Sequence, residues 1–212
     1  MIVSVAQIVA CTEAEGPGKR FALWFQGCPL RCPGCCNPEM LPFEGGTPYS
    51  MDDLCAGIHA ARQDFGIEGI SLLGGEPLAH AMAAAGLARK AWEIGLSVMV
   101  YSGYTLAEAR SLRDPAIADV LAHCDVLVDG PYLREQSESR RRWVGSSNQV
   151  VHFLTNRYRS DDPLWVKRNT LEIRLRGDEL SVNGFPAPSA VGLWRRLHTQ
   201  SPSRRESAND NA

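Results

Sequence analysis

Short apolar segments alternate with segments of helix length between residues 20 and 130 of the chain. The apolar segments are 20-RFALWF-25, 67-IEGISLL-73, 96-LSVMVYS-102 and 124-CDVLVDG-130. The helical segments between them are 50–65, about 79–94, 105–113 and 115–123. Helix-length connections between successive strands predict an α/β fold with a parallel sheet and right-handed crossovers, either open or rolled into a partial barrel.

Local signals define several helix ends. Ser50 is a good N-cap, and Asp52 and Asp53 follow it in the first turn of the predicted helix. Gly66 is placed to end that helix, and Pro115 suits the first turn of a later one.

An unusual local sequence follows each predicted strand. These sequences are the cysteine-rich stretch 25-FQGCPLRCPGCCNPE-39, 74-GGEP-77, Ser102-Gly103-Tyr104 and Asp129-Gly130. Because ligands of such folds bind at the carboxyl ends of the parallel strands, this placement predicts one shared site.

The cysteine-rich stretch holds four of the seven cysteines, at Cys28, Cys32, Cys35 and Cys36. An odd number of cysteines disfavours a disulfide framework. The N-terminus also lacks signal-peptide features, and thiols stay reduced in the cytosol expected for such a chain. A structural zinc site remains open, but only one C-x-x-C pair is present, and Cys11 is the one flexible candidate for a fourth ligand. An iron–sulfur cluster suits the stretch better, because a short non-helical loop can direct thiolates around a cubane.

Composition narrows the classes of partner. The chain has 22 basic and 24 acidic side chains and a formal charge of −2, which disfavours a nucleic-acid or membrane-surface binder. The apolar N-terminus, MIVSVAQIVACTE, lacks the features of a signal peptide and predicts a strand. We therefore expect a cytoplasmic protein with no membrane span. Arg140, Arg141 and Arg142 indicate a solvated turn rather than a phosphate site.

The C-terminal part of the chain differs from the repeating core. Residues 171-LEIRLRGDELSVNG-184 predict a β-hairpin that turns at Gly177-Asp178. We expect a single domain over 1–197, with a core at about 15–155 and an extension at about 160–197. The polar residues 198–212 predict a disordered tail.

At the cysteines the sequence resembles a known superfamily. Cys28-x-x-x-Cys32-x-x-Cys35 is similar to the signature of radical S-adenosylmethionine (SAM) enzymes, and 74-GGEP-77 is similar to their second motif. Four further stretches resemble the activating enzymes of glycyl radical proteins, in particular those of anaerobic ribonucleotide reductase: WFQGCPLRCPGCCNPE, VYSGYT, DVLVDGPY and VGSSNQ. Cys36 departs from the family pattern, which has an aromatic residue or histidine there, and the segment 160–197 extends beyond a minimal activase.

The resemblance implies a fold, a reaction and partners. The fold would be a partial (β/α)6 TIM-like barrel, with the hairpin as an extension. Cys28, Cys32 and Cys35 would hold a [4Fe–4S] cluster with one open iron. SAM would bind that iron, and its reductive cleavage to a 5′-deoxyadenosyl radical would activate a glycyl radical protein. A reductant such as flavodoxin or ferredoxin would supply the electron.

Further residues are candidates to contact SAM, each beside a plain structural alternative. The candidates are Gly34, Cys36, Gly74, Gly75, Glu76, Ser102, Gly103 and Asp129. Glu76 could accept from the ammonium of SAM, or it could cap the helix that follows. Asp129 could bind the ribose or a cation, or it could be a turn aspartate. Asn148 and Gln149 could contact SAM or the partner.

Two other functions remain compatible with these residues. One is a radical SAM enzyme that acts on a small molecule, a peptide or RNA, similar to 7-carboxy-7-deazaguanine synthase. The other is a non-enzymatic metal-binding module. Metal content and the nature of the neighbouring genes would separate them from an activase.

Overall fold

A computed structural model of the protein describes residues 1–176 and 179–184. Its strands are β1 (Ile2–Thr12), β2 (Arg20–Phe25), β3 (Thr47–Ser50), β4 (Gly69–Gly74), β5 (Ser97–Ser102), β6 (Val126–Asp129), β7 (Val150–Phe153), β8 (Leu171–Arg176) and β9 (Glu179–Gly184). Its α-helices are α1 (Met51–Phe65), α2 (Ala81–Glu93), α3 (Leu106–Ser111) and α4 (Pro115–Ala122). Among these residues, none of the helices is both long enough and apolar enough to span a membrane.

The predicted helix ends are confirmed. Ser50 accepts from the backbone N–H of Asp53 and forms a reciprocal capping box with it at the start of α1. Gly66 ends α1 in the left-handed conformation, at φ 64°. Pro115 is in the first turn of α4, where its missing N–H leaves no helix hydrogen bond unmade.

The central sheet is mixed and mostly parallel, in the order β3-β1-β2-β4-β5-β6-β7. Strands β2, β4, β5 and β6 are parallel, joined by helix-containing connections as predicted. Strands β1 and β7 pair antiparallel with β2 and β6. These four parallel strands are fewer than six β/α units provide, because β7 is reached from β6 through a loop without an α-helix, which allows an antiparallel return.

The two faces of the sheet carry different cores. Helices α1, α2 and α4 pack on one face, against residues such as Leu23, Leu72 and Leu127. The alternate positions of the same strands face the other side, where Trp24 and Leu73 belong to a separate apolar cluster. This alternation follows from the two-residue period of a strand.

The chain after residue 140 covers part of the face that the helices leave open. Trp143 and Trp165 are buried there against Met99, and their rings meet edge to face at 5.3 Å. The N–H of Arg142 donates to the carbonyl of Trp165 at 2.7 Å. The early part of the predicted extension is therefore core, because removing it would expose the sheet.

The predicted C-terminal hairpin is confirmed as the antiparallel pair β8 and β9. It packs beside the end of β1, where the Asn183 amide donates to the Thr12 hydroxyl at 2.8 Å and Arg174 donates to the carbonyl of Cys11 at 2.7 Å. Its turn at Gly177-Asp178 and the expected tail 198–212 lie outside the described residues.

Buried polar groups lie at the end of the sheet opposite the cysteine loop. The Arg20 guanidinium donates to the hydroxyls of Ser71 and Ser97, at 2.7 and 2.9 Å. Glu15 is 4% exposed beneath the hairpin. Its burial raises the pKa of the Glu15 carboxyl to about 8, against the lowering effect of hydrogen bonds from Gly184 and Asn183.

Candidate functional site

The carboxyl ends of the parallel strands lie level with one another. Phe25 of β2 pairs with Gly74 of β4, and Ser102 of β5 pairs with Asp129 of β6. The predicted shared site is therefore at one edge of the sheet, and the cysteine loop leaves β2 at this edge.

The cysteine loop is held at its base by hydrogen bonds to residues that follow it. The Gln26 amide donates to the carbonyls of Glu39 and Pro42, at 3.1 and 2.8 Å. The N–H of Cys28 donates to the carbonyl of Leu41 at 3.0 Å. These bonds close the loop into a unit of fixed shape, since both of its ends attach to the same strand end.

Backbone N–H groups face the thiols of two predicted ligands. Burial raises the pKa of the Cys28 thiol, and hydrogen bonds from the N–H groups of Arg31 and Leu30 act in the opposite direction. Burial likewise raises the pKa of the Cys35 thiol, and the N–H of Asn37 opposes it. Such N–H donors stabilise a thiolate, which is the form that binds iron.

The three thiols predicted to be ligands lie near one another but do not form a site for a single ion. Cys28 is 6% exposed, Cys32 and Cys35 are half-buried, and neighbouring thiolates raise the pKa values of Cys28 and Cys35. Within the described part of the chain, no group of three His, Cys, Asp or Glu side chains could hold a metal ion. A cluster does not require the three sulfurs to meet at one point, because each thiolate binds a different iron. The donor set and the inward N–H groups thus fit a cluster.

The glycine pair of 74-GGEP-77 brings the end of β4 against the start of the cysteine loop. The N–H groups of Gly75 and Glu76 donate to the carbonyls of Phe25 and Gly27, at 2.8 and 3.0 Å. A Cβ on Gly75 would lie 2.1 Å from the carbonyl oxygen of Gly27, and Gly74 has φ 100°. Both glycines are therefore required for this close backbone approach.

Glu76 links the ends of two strands. It is 1% exposed, and its Oε1 accepts from the N–H of Leu78 and the hydroxyl of Ser102, both at 2.9 Å. Its Oε2 accepts from the N–H of Gly103 at 2.8 Å. The capping alternative is thus realised, and the carboxylate is occupied by donors of the protein. Burial raises the pKa of Glu76 to about 7, although all three hydrogen bonds lower it.

Asp129 also holds secondary structure together. It is 3% exposed, and its Oδ2 accepts from the N–H of Leu106 at 2.5 Å, at the start of α3. The same oxygen lies 2.8 Å from Nε2 of His152 in β7. Its carboxylate therefore contacts α3 and β7, where a plain turn aspartate would contact neither.

The segment 130–149, which we call the cover loop, lies beside the cysteine loop. The side chain of Arg134 packs against Gly34, so a Cβ on that glycine would lie 2.9 Å from Nε. The Tyr132 hydroxyl is hydrogen-bonded to Cys36. Burial is the largest cause that raises the pKa of Tyr132 to about 12, and this hydrogen bond is the second. Gly34 and Cys36 therefore contact the cover loop directly.

Arg141 holds the cover loop in shape, which corrects the expectation of a solvated turn for this residue. Its guanidinium donates to the Glu138 carboxylate at 2.5 Å and to the carbonyls of Gln149 and Ser147, at 2.7 and 3.0 Å. Burial raises the pKa of Glu138, but hydrogen bonds, including those from Arg140 and Arg141, outweigh it and bring that pKa to about 2.

The other residues noted in the cover loop act within it. The Gln149 amide donates to the carbonyl of Gly130 at 2.9 Å and accepts from the N–H of Gly145 at 3.0 Å. The Asn148 amide donates to the carbonyl of Pro131 at 2.8 Å, and its oxygen is buried without a protein partner.

Reasoning from the sequence did not identify four residues of the site. Gln26 and Leu30 lie beside and within the cysteine pattern, so their position could have suggested a role. Tyr132 ends the stretch DVLVDGPY, but nothing local indicates its contact with Cys36. His152 has no local signal, because its partner Asp129 is distant in the chain.

Comparison with known proteins gives consistent results. The family model of the 4Fe-4S single cluster domain matches residues 14–152. The anaerobic ribonucleoside-triphosphate reductase-activating protein of Vibrio cholerae serotype O1 is 36% identical over 149 residues, which cover 66% of this chain and 92% of that protein. The protein of the same name from Escherichia coli K12 is 33% identical over 148 residues, which cover 66% of this chain and 92% of that protein.

Among solved structures, QueE from Escherichia coli matches with 21% sequence identity and a TM-score of 0.39, and the match covers 50% of this chain and 54% of QueE. That score is too low to support an argument. The family match and the two relatives are sufficient without it: the chain belongs to the 4Fe-4S single cluster domain family and to the family of the anaerobic ribonucleoside-triphosphate reductase-activating proteins.

Proposed function

We propose that this chain is a radical SAM enzyme that activates a glycyl radical enzyme, with anaerobic ribonucleotide reductase as the expected partner. One observation carries the proposal: three thiols at the spacing of Cys28, Cys32 and Cys35 lie in a closed loop at the carboxyl edge of a parallel sheet. The names of the relatives give the proposal its partner class.

In this proposal Cys28, Cys32 and Cys35 hold a [4Fe–4S] cluster. When bound, the cluster supplies the electron that cleaves SAM to methionine and a 5′-deoxyadenosyl radical. The chain keeps the thiolates in place, because N–H groups of Leu30, Arg31 and Asn37 face two of the sulfurs. The protein's remaining contribution is to orient SAM and exclude water.

The predicted SAM contacts divide into two groups. We propose that Gly34, Gly74, Gly75 and Ser102 offer backbone or hydroxyl contacts, because they lie at the same edge of the sheet as the thiols. Cys36 and Gly103 are candidates through their neighbours Tyr132 and Leu30. Glu76 acts indirectly, since donors of the protein occupy both of its carboxylate oxygens. Asp129 bonds to α3 and β7 through Oδ2 and stays a candidate.

Three finer features belong to the same proposal. Curvature of the sheet toward a partial barrel would place the cluster over the face that carries Trp24 and Leu73. A flavodoxin or ferredoxin would be the reductant. A cytoplasmic setting would keep the seven cysteines reduced.

The test uses anaerobically reconstituted protein with dithionite, SAM and an anaerobic ribonucleotide reductase. We expect 5′-deoxyadenosine to form and a glycyl radical to appear on the reductase in the electron paramagnetic resonance (EPR) spectrum. Absence of deoxyadenosine from a protein that carries four irons would refute radical SAM chemistry. Deoxyadenosine without a glycyl radical would refute the activase assignment and favour a small-molecule, peptide or RNA substrate.

A further inference from the structure

Gly103 has no conformational need to be glycine. It is not among the glycines with positive φ, so its backbone is one that other residues adopt. Beyond its two chain neighbours, the atoms nearest to a Cβ at this position belong to Leu30 and Glu76. It would lie 2.5 Å from Cδ1 of Leu30 but 3.6 Å from the Glu76 carboxylate, an ordinary contact. Of these atoms, only Cδ1 of Leu30 is closer than an ordinary contact, so it occupies space that a larger residue would need.

Leu30 lies between two of the predicted cluster ligands. It is two residues after Cys28 and two before Cys32. Its own N–H is one of the two that face the sulfur of Cys28. A displacement of Leu30 would therefore move this N–H, which belongs to the same residue, relative to the thiol it faces.

The surface on which Leu30 lies is fixed. The N–H of Gly103 donates to Glu76 at 2.8 Å, and the N–H of Glu76 donates to the carbonyl of Gly27 at 3.0 Å. Gly27 is the residue before Cys28, so the chain of contacts returns to the cysteine loop. The loop is thus held on β5 by an apolar contact at Leu30 and on β4 by a hydrogen bond at Gly27.

We propose that Leu30 and Gly103 form a matched pair of positioning residues, which sets the height of the cysteine loop above the end of β5. The proposal rests on the proposed function in one respect, namely that the loop carries the cluster. It differs from the interpretation in which Gly103 is small because SAM contacts it. In that case the space at Gly103 serves the ligand, and Leu30 has no special relation to it.

A double-mutant cycle separates these two interpretations. The four proteins are wild type, Gly103→Ala, Leu30→Ala and the double variant. Gly57→Ala is the matched control, because a Cβ on this α1 glycine meets Phe21 at an ordinary 3.6 Å. The first readout is urea unfolding of the cluster-free proteins, which requires neither the cluster nor SAM.

We expect Gly103→Ala to lower the folding equilibrium constant about tenfold and the same change to cost little once Leu30 is alanine. Gly57→Ala should not lower it. If Gly103→Ala fails to fold while the double variant folds, the rescue supports the proposal in the same way. Additive effects, or a double variant that also fails to fold, would overturn it.

The second readout is the EPR spectrum of the reconstituted proteins and the SAM concentration at half-maximal deoxyadenosine formation. The Gly103→Ala protein should need about tenfold more SAM at unchanged iron content, and the double variant should recover most of this loss. Loss without recovery would mean that Gly103 contacts SAM itself. A wild type that makes no deoxyadenosine would refute the proposed function, while the unfolding cycle would still decide whether the two residues are coupled.

Discussion

At the scale of single residues, the site is organised by buried carboxylates that bind protein donors. Glu76 accepts from Leu78, Ser102 and Gly103, and Asp129 accepts from Leu106. A carboxylate that satisfies backbone N–H groups is costly to redirect, because those buried donors would lose their partner. In the proposed function these two carboxylates hold the site together, and the thiols hold the cluster.

The four clustered cysteines should separate into ligands and a non-ligand. We predict that Cys32→Ala loses most of the bound iron, whereas Cys36→Ala keeps it, since the Cys36 thiol is exposed and bonded to Tyr132. Iron and sulfide analysis of the anaerobically reconstituted variants measures this. Equal iron loss in both would contradict the assignment of three ligands.

At the scale of elements, the site depends on how closely the end of β4 approaches the cysteine loop. The approach involves backbone on both sides, at Gly75 and Gly27. The nearest atoms at Gly75 belong to the backbone of Gly27, so no side chain can move aside there.

Gly75→Ala should therefore be damaging. Its Cβ would lie 2.1 Å from the Gly27 carbonyl oxygen, so the two segments must separate, at a cost of about 3 kcal/mol. Urea unfolding of the cluster-free protein measures this cost, and iron content should fall as well. A Gly75→Ala protein as stable as wild type would show that the two segments are not held this closely.

The cover loop offers a second test at this scale. Arg141→Ala removes hydrogen bonds to Glu138, Gln149 and Ser147, and we expect it to destabilise the protein by about 1–2 kcal/mol and to expose the loop to proteolysis. Arg140→Ala is the control, because the backbone N–H of Arg140, not its side chain, bonds to Glu138. Similar cleavage rates for the two variants would contradict a special role for Arg141.

At the scale of the whole molecule, the segment that follows β1 and the C-terminal hairpin meet away from the site. Glu15, which follows β1, is buried beneath the hairpin and bonds to Asn183 and Gly184. The hairpin thus completes the fold at the edge opposite the cysteines, and its burial of Glu15 makes the stability of the fold depend on pH.

The direction of that dependence follows from the pKa shift. Burial raises the pKa of Glu15 from 4.5 to about 8. The contribution of this carboxyl to the free energy of unfolding is therefore fully present below pH 4.5 and is lost as the pH rises toward 8. Glu15→Gln stays neutral, and it should gain on the order of 3 kcal/mol relative to wild type between pH 4.5 and pH 7. Urea unfolding across this range measures the difference. A constant difference between the two proteins would contradict the raised pKa.

The sequence predicted those parts of the fold that depend on local signals. The strand Arg20–Phe25 and the cap at Ser50 both depend on neighbouring residues. The spacing from Cys28 to Cys35 is also local, and its role as a ligand set stays a prediction. The antiparallel strand β7 and the contact of Asp129 with His152 could not be predicted in this way. Both depend on where a loop without a helix returns to the sheet, and this is decided by packing between distant residues.

The central claim is that three cysteines of this chain hold a cluster to which SAM binds. The most direct measurement is EPR of the anaerobically reconstituted, dithionite-reduced protein with and without SAM. We predict a signal from a reduced four-iron cluster that changes when SAM is added. A signal that SAM leaves unchanged, or bound zinc with no such signal, would contradict the claim.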